Sequence, residues 1–167
     1  MPLTATVRAG IKAEHTKALD LGTASFDLTE LVDFGLTSGT GAGAADLMFT
    51  DTRTLAASGT ENLDLAGSLT DAFGATLTFV ELRAVVIKAS PGNTNNVEVT
   101  TPASSGCPLF LDDGDGIPVP PGGVFLWACP ADGKVTVTPS TGDLLTVTNS
   151  AGTTGVTYDV VILGTSA

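Results

Sequence analysis

Rings and charges are both scarce in this 167-residue chain. Phe, Trp and Tyr together make up 5% of it and the four charged residue types 15%, against 43% hydrophobic residues. So much apolar side chain with so little charge excludes a disordered protein, because such segments lack the apolar surface that offsets the entropy of folding. A single histidine, His15, and two cysteines, Cys107 and Cys129, leave little material for metal or nucleophilic chemistry. Two cysteines so far apart form neither a zinc-ligand pattern nor a disulfide framework, and both are expected as free thiols, with Cys129 packing as a small hydrophobe. No G-x-S-x-G elbow surrounds a serine, and His15, the only base a triad could use, lies near the N-terminus. No Gly-Lys-Ser or Gly-Lys-Thr occurs, and Gly39, Gly41 and Gly43 lack the spacing and the strand-then-helix setting of a nucleotide loop. The opening MPLTATVRAG has no apolar stretch of the signal-peptide kind, and no run approaches the ~18 apolar residues of a membrane helix.

What remains is strand-and-turn material. The apolar content is Val, Leu and Ala, accompanied by abundant Thr and 20 Gly, a composition that favours pleated, half-buried segments and tight bends. One main domain with arms fits the length. The net charge of −11 repels phosphate backbones and anionic bilayers, so neither nucleic acid nor membrane is expected as a partner. Charge is unevenly placed: residues 1–17 hold Arg8, Lys12 and Lys17 against Glu14 alone. Either this basic stretch docks on an acidic neighbouring subunit, with Arg8, Lys12 and Lys17 as the contacts, or it is a strand end that happens to be basic.

Alternation of period two recurs from end to end. Leu3 to Ile11 reads as a first strand or arm, and Ala24 to Phe34 as an extended segment with room for a helical turn near Leu28 to Val32. Leu36 to Ala45, LTSGTGAGAA, is a Gly-rich connector too small-sided to supply core. The division expected is therefore an N-terminal arm and connector over 1–45 and a β-sandwich body over 46–167. In the body, Leu47 to Leu55 and Glu61 to Leu65 form the first pair. Leu69 and Phe73 are placed to plug the sandwich end. Thr76 to Ala89 is the strongest strand, apolar on both faces in its middle as a covered central strand requires. Val97 to Thr101, a short Pro108 to Leu111 and Val124 to Cys129 follow, with Pro118, Pro120 and Pro121 barring the intervening segment from an interior position. Lys134 to Thr138, Leu144 to Thr148 and Val156 to Leu163 close a meander. Eight to ten strands at ~8 to 12 residue spacing predict an all-β, jelly-roll-like antiparallel β-sandwich.

Candidate chemistry is thin. Asp112, Asp113 and Asp115 share a tight turn of the sort that gathers oxygens around a hard cation, but the spacing is not that of an EF-hand, and a solvated turn is the plainer account. Glu61 with Asp64, or Glu81 with a distant partner, supply carboxylates without the aromatic platforms of a sugar-cleaving site. Trp127 and Tyr158 sit in alternating strands, where core or interface is favoured over sugar stacking. Arg83 and Glu81 are expected to line a sheet face or subunit contact where they find partners. No enzyme activity, cofactor or metal site is expected.

Four segments in order carry a resemblance: DTRTLAASGTENLDLAGSLTDAFGATLTF over 51–79, LRAVVIKAS with the turn that follows it, VPPGGVFLWACP over 119–130, and GDLLTVTNSAGTTGVTYDVVILG over 142–164. Together they cover about two-thirds of the chain, and their order resembles a class of small tailed-phage and prophage virion structural proteins, in particular capsid decoration, or cement, proteins. The resemblance implies a jelly-roll-like sandwich, a homotrimer, the major capsid protein as partner, and a place on the outer surface of the phage head after assembly in the bacterial cytoplasm. The implied function is to clamp neighbouring capsid proteins and stabilise the head. The alternatives are a receptor-recognising head-fibre or tail-fibre module, or a tail or neck adaptor.

Overall fold

The computed structural model describes residues 2–132 and 134–167. It is all-β, with eleven strands among the described residues: β1 Ala5–Leu19, β2 Gly22–Ser38, β3 Ala44–Ala45, β4 Leu47–Leu55, β5 Thr60–Asp64, β6 Glu81–Ala89, β7 Val97–Thr100, β8 Gly116–Val119, β9 Val124–Ala128, β10 Leu144–Asn149 and β11 Val156–Thr165. The last eight build two four-stranded antiparallel sheets, ordered β5-β10-β7-β8 and β4-β11-β6-β9. Within them the pairs β4·β11, β5·β10, β6·β9 and β7·β8 are nested, as if one long hairpin bent between β7 and β8 had been wrapped into two layers. This is a jelly-roll-like antiparallel sandwich.

Alternation places the core. Leu63, Leu145, Val147, Val97 and Val99 point inward from one sheet, and Phe49, Val85, Ile87, Val160 and Ile162 from the other, in one buried cluster. The outward residues of the two sheets differ along β6 and β9, whereas β4 also turns threonines outward, Thr50, Thr52 and Thr54. On β5-β10-β7-β8 they are polar, with Thr60 bonded to Thr148 (3.1 Å) and Thr146 donating to Asn62 (2.7 Å). On β4-β11-β6-β9 they include Ala84, Leu126, Ala128 and Leu163, and a second apolar cluster forms there with Val7, Leu36 and Ala45. Pro118 falls in β8, an edge strand, as its missing N–H demands.

Several local expectations change. Leu28 to Val32 is strand, without a helical turn, because its partners Ala13 to Ala9 run alongside it. The strand foreseen over Thr76 to Ala89 begins at Glu81. Leu77 and Phe79 instead bond to Leu69 and Leu65 and drop into the core as a crossover. Leu69 is buried, as a plug should be, while Phe73 is exposed. Neither Pro108 to Leu111 nor Lys134 to Thr138 is a strand, although Val135 and Val137 are buried. The Gly-rich connector does contribute core, since Leu36, Ala44 and Ala45 are all buried.

The reason the connector is buried is Arg83. On the β11 side, Leu163 pairs with Ala84 and Gly164 with Leu82, so Arg83 is the extra residue of a β-bulge. The bulge lets the backbones close up around Gly164, where a Cβ would lie 2.3 Å from the Glu81 carbonyl oxygen and 2.6 Å from the Phe79 ring. It also aims a fully buried guanidinium outward, under the connector. Nε donates to the Ala44 carbonyl (3.2 Å), Nη1 to Glu81 (2.6 Å) and Nη2 to Asp132 (2.6 Å), with longer contacts to the Thr40 and Ala131 carbonyls. Removing one member of a buried, hydrogen-bonded charge pair costs about 3–5 kcal/mol. Because Asp132 is half exposed, the lower end applies here. Arg83→Ala is expected to lose roughly 3 kcal/mol in urea denaturation and to make the backbone between Gly39 and Gly43 newly sensitive to limited proteolysis.

Candidate functional site

The most unusual surface of the molecule is the β1·β2 hairpin. Its ladder is unbroken from Ala5↔Leu36 to Leu19↔Gly22, closed by Asp20 and Leu21, and at ~3.4 Å per residue it is about 50 Å long. Cross-strand pairing sorts its side chains onto two faces. One carries Val7 with Phe34, Ala9 with Val32, Ile11 with Glu30, Ala13 with Leu28, His15 with Phe26 and Lys17 with Ala24. The other carries Arg8 with Asp33, Gly10 with Leu31, Lys12 with Thr29, Glu14 with Asp27 and Thr16 with Ser25. The first is apolar along most of its length and the second is polar.

Only the root of the apolar face is covered. Val7 and Leu36 are buried, and Phe34 packs beside them against Ala84, Leu163, Leu126 and Ala128. Further out, Ala9 and Val32 share a cleft with Leu126 and Ala128 of β9, the edge strand. Beyond that point Ile11, Leu19, Leu21 and Phe26 are exposed, Ile11 and Phe26 by about two-thirds. Each such side chain gains about 1.5–3 kcal/mol on full burial, and a two-stranded hairpin alone in water is marginal. The hairpin thus presents an uncovered apolar stripe beyond its root.

Of the residues expected to make contact, Arg8 and Lys12 share the polar face and Lys17 lies on the apolar one. Arg8 is already paired with Asp33 (2.6 Å). The return strand also supplies Asp27, Glu30 and Asp33, and the turn Asp20. The hairpin thus carries three basic against five acidic side chains, and the positive charge of the first 17 residues does not survive as a basic arm. Sequence reading missed this because the neutralising carboxylates come from the partner strand.

A second feature is an open groove of about 610 Å³ between the β8 and β9 edges, lined by Phe110, Leu111, Asp115, Trp127, Cys129 and Lys134. Trp127 is half-buried, and Phe110 stacks on Phe125 with ring centroids 5.7 Å apart. A third is a polar cluster inside the sandwich. Tyr158, fully buried, donates to Glu61 (2.8 Å), which also accepts from Arg53 (2.5 Å). Burial pulls the Arg53 pKa down, but the hydrogen bond and charge of Glu61 outweigh it and leave it raised. Burial, then the bond to Glu61, pushes the Tyr158 phenol well above its ordinary value of 10.0. This cluster ties β4, β5 and β11 together. It commits Glu61 to Tyr158 and Arg53, not to a partner carboxylate. Among the described residues no group of three or more His, Cys, Asp or Glu is arranged to hold a metal ion. In the acidic turn, Asp112 accepts the Asp113 N–H (2.8 Å). No described helix is long and apolar enough to cross a membrane.

No family model, curated protein or solved structure matches this chain.

Both cysteines are free thiols. Burial, then the neighbouring Asp143 charge, pushes the Cys107 thiol up to about 12 from an ordinary 9.0. Since only the unfolded chain ionises between those values, stability is complete below pH 9 and falls as pH rises toward 12, and Tyr158 acts in the same direction above pH 10. The urea midpoint is expected to drop between pH 8.5 and 11, and less steeply in Tyr158→Phe. At pH 8 a thiol reagent is expected to titrate one cysteine, Cys129, in the native protein and both in urea.

Proposed function

We propose that this chain is a non-enzymatic structural subunit of a phage virion, a decoration protein that clamps neighbouring major capsid proteins and stabilises the head. The observation that carries this reading is the amphipathic hairpin. A compact sandwich extends a 15-residue ladder with an apolar face well past its own edge, and that shape suits a subunit that reaches across a seam. The resemblance of the body segments to cement proteins, in their order along the chain, supports the same assignment. The strongly acidic body repels other acidic surfaces, so attachment falls to the apolar stripe, and many copies on one shell would make a modest single contact tight in aggregate.

A receptor-recognising fibre module is the second reading, favoured by the aromatic groove at Phe110 and Trp127. Rings beside a carboxylate and an ammonium suit a sugar face and its hydroxyls.

Simply deleting residues 1–17 would strip β2 of its partner and remove Val7 from the second cluster, so the informative variant shortens the hairpin. Joining Gly10 to Leu31 through a two-residue Asn-Gly turn is expected to leave the body folded, with a circular-dichroism melt within a few degrees of wild type. Occupancy on purified capsids lacking the protein, counted by electron microscopy, is expected to fall at least about tenfold. Unchanged occupancy removes the capsid reading. Retention of a glycan-array signal that disappears in Trp127→Ala would move the assignment to the fibre module.

A further inference from the structure

The hairpin's apolar face already has one characterised receptor: the outer face of β4-β11-β6-β9. At its root, Val7, Phe34 and Leu36 pack on Ala84, Leu126, Ala128 and Leu163. That sheet face is not used up. Beside the root runs a cleft of about 320 Å³ bordered by Val86, Val124, Leu126 and Val161. Val124 and Met48 on the same face are exposed. On the same face β4 and the start of β11 carry Thr50, Thr52, Thr54 and Thr157, with Thr52 donating to Asp159 (2.7 Å), so the apolar area lies toward β6 and β9. One molecule thus carries an uncovered apolar stripe and an uncovered apolar area on the β6 and β9 side of its sheet face, and the stripe is the direct continuation of residues that bind that area within the chain.

We infer that the hairpin of one copy leaves its own body over β9 and lies across the outer face of β4-β11-β6-β9 in a second copy, with Ile11, Phe26 and Leu28 on Val86, Val124 and Val161. Length permits it. From Ala9 to the turn the hairpin extends about 37 Å at ~3.4 Å per residue, whereas four strands at ~4.8 Å spacing span about 20 Å. The overhang therefore crosses a whole neighbouring sheet. The stripe and the receiving face are different surfaces, so the contact is heterologous, and repeated around an axis it closes a ring or runs on as a filament. Because each copy spends its stripe on the next, a closed ring leaves none exposed. The charged groups meeting at the seam are His15, Lys17 and Glu30 from the stripe and Lys88 and Asp159 from the sheet, of both signs on both sides.

This deepens the reading of the chain as an assembly subunit by naming the hairpin's first partner as a second copy of itself. The test uses the full chain. Light scattering is expected to give a closed oligomer at micromolar concentration. Phe26→Asp on the stripe and Val124→Asp on the sheet, both at exposed positions, are each expected to shift dissociation by about tenfold or more with unchanged circular dichroism. In a Cys129→Ser background, Phe26→Cys together with Val86→Cys is expected to form disulfide-linked chains on a non-reducing gel, and neither substitution alone is. A monodisperse wild-type monomer would overturn the inference, and so would cross-linking of Phe26→Cys alone, which would mean that hairpins pack on one another. An oligomer that fails to bind capsids would retain this contact and remove the capsid reading. A monomer that still decorates capsids would do the reverse.

Discussion

A guanidinium can be taken out of water only where its N–H groups find acceptors, and around Arg83 those acceptors come from three separated parts of the chain. Glu81 belongs to its own strand, Ala44 and Thr40 to the connector after the hairpin, and Ala131 and Asp132 to the loop after β9. The bulge that turns Arg83 outward reverses the facing of β6, so Leu82 and Val85 both enter the main core while Ala84 joins the outer cluster. One irregularity in one ladder thereby sets both the register of the central strand and the position of the hairpin's root.

From that anchor the two halves of the molecule follow different physics. The sandwich is a two-layer apolar core in which Tyr158 and Arg53 both donate to Glu61. The hairpin keeps its backbone hydrogen bonds but leaves most of its apolar face in water. Its stability as an extended object depends on what covers that face. The result is a packed body that carries an arm whose apolar face is uncovered beyond its root. Threonines line the outer positions of β4 as they line those of β5 and β10, and the aliphatic outer side chains gather on β6, β9 and the end of β11.

Much of the body was legible in the sequence. Alternation in Leu47 to Leu55, Val97 to Thr101, Leu144 to Thr148 and Val156 to Leu163 identified strands because each has one face in the core, and Pro118 marked an edge because it cannot donate to a ladder. Misreadings arose where local pattern and tertiary environment diverge. Leu77 and Phe79 alternate like strand residues, yet they are buried in a crossover. Ala44 and Ala45 look too small to be core, yet a small side chain is what lets the connector lie close over Arg83. Arg8 faces Asp33 across the hairpin, while Lys12 faces Thr29 and Lys17 faces Ala24, which only the strand pairing reveals. The stripe itself left a signal, since Phe26, Leu28, Val32, Phe34 and Leu36 share one parity, but parity does not say which surface the stripe meets.

The chain's composition and period-two alternation by themselves determined an all-β sandwich, its turns and most of its inward residues, because burying one face of a strand is a local rule that each segment obeys independently. Tertiary structure alone decided the pairing of Ala5 to Leu19 with Gly22 to Ser38, the cancellation of the arm's charge, and the burial of the connector over Arg83. These depend on residues brought together from distant positions, and no window of sequence holds both partners of such a contact.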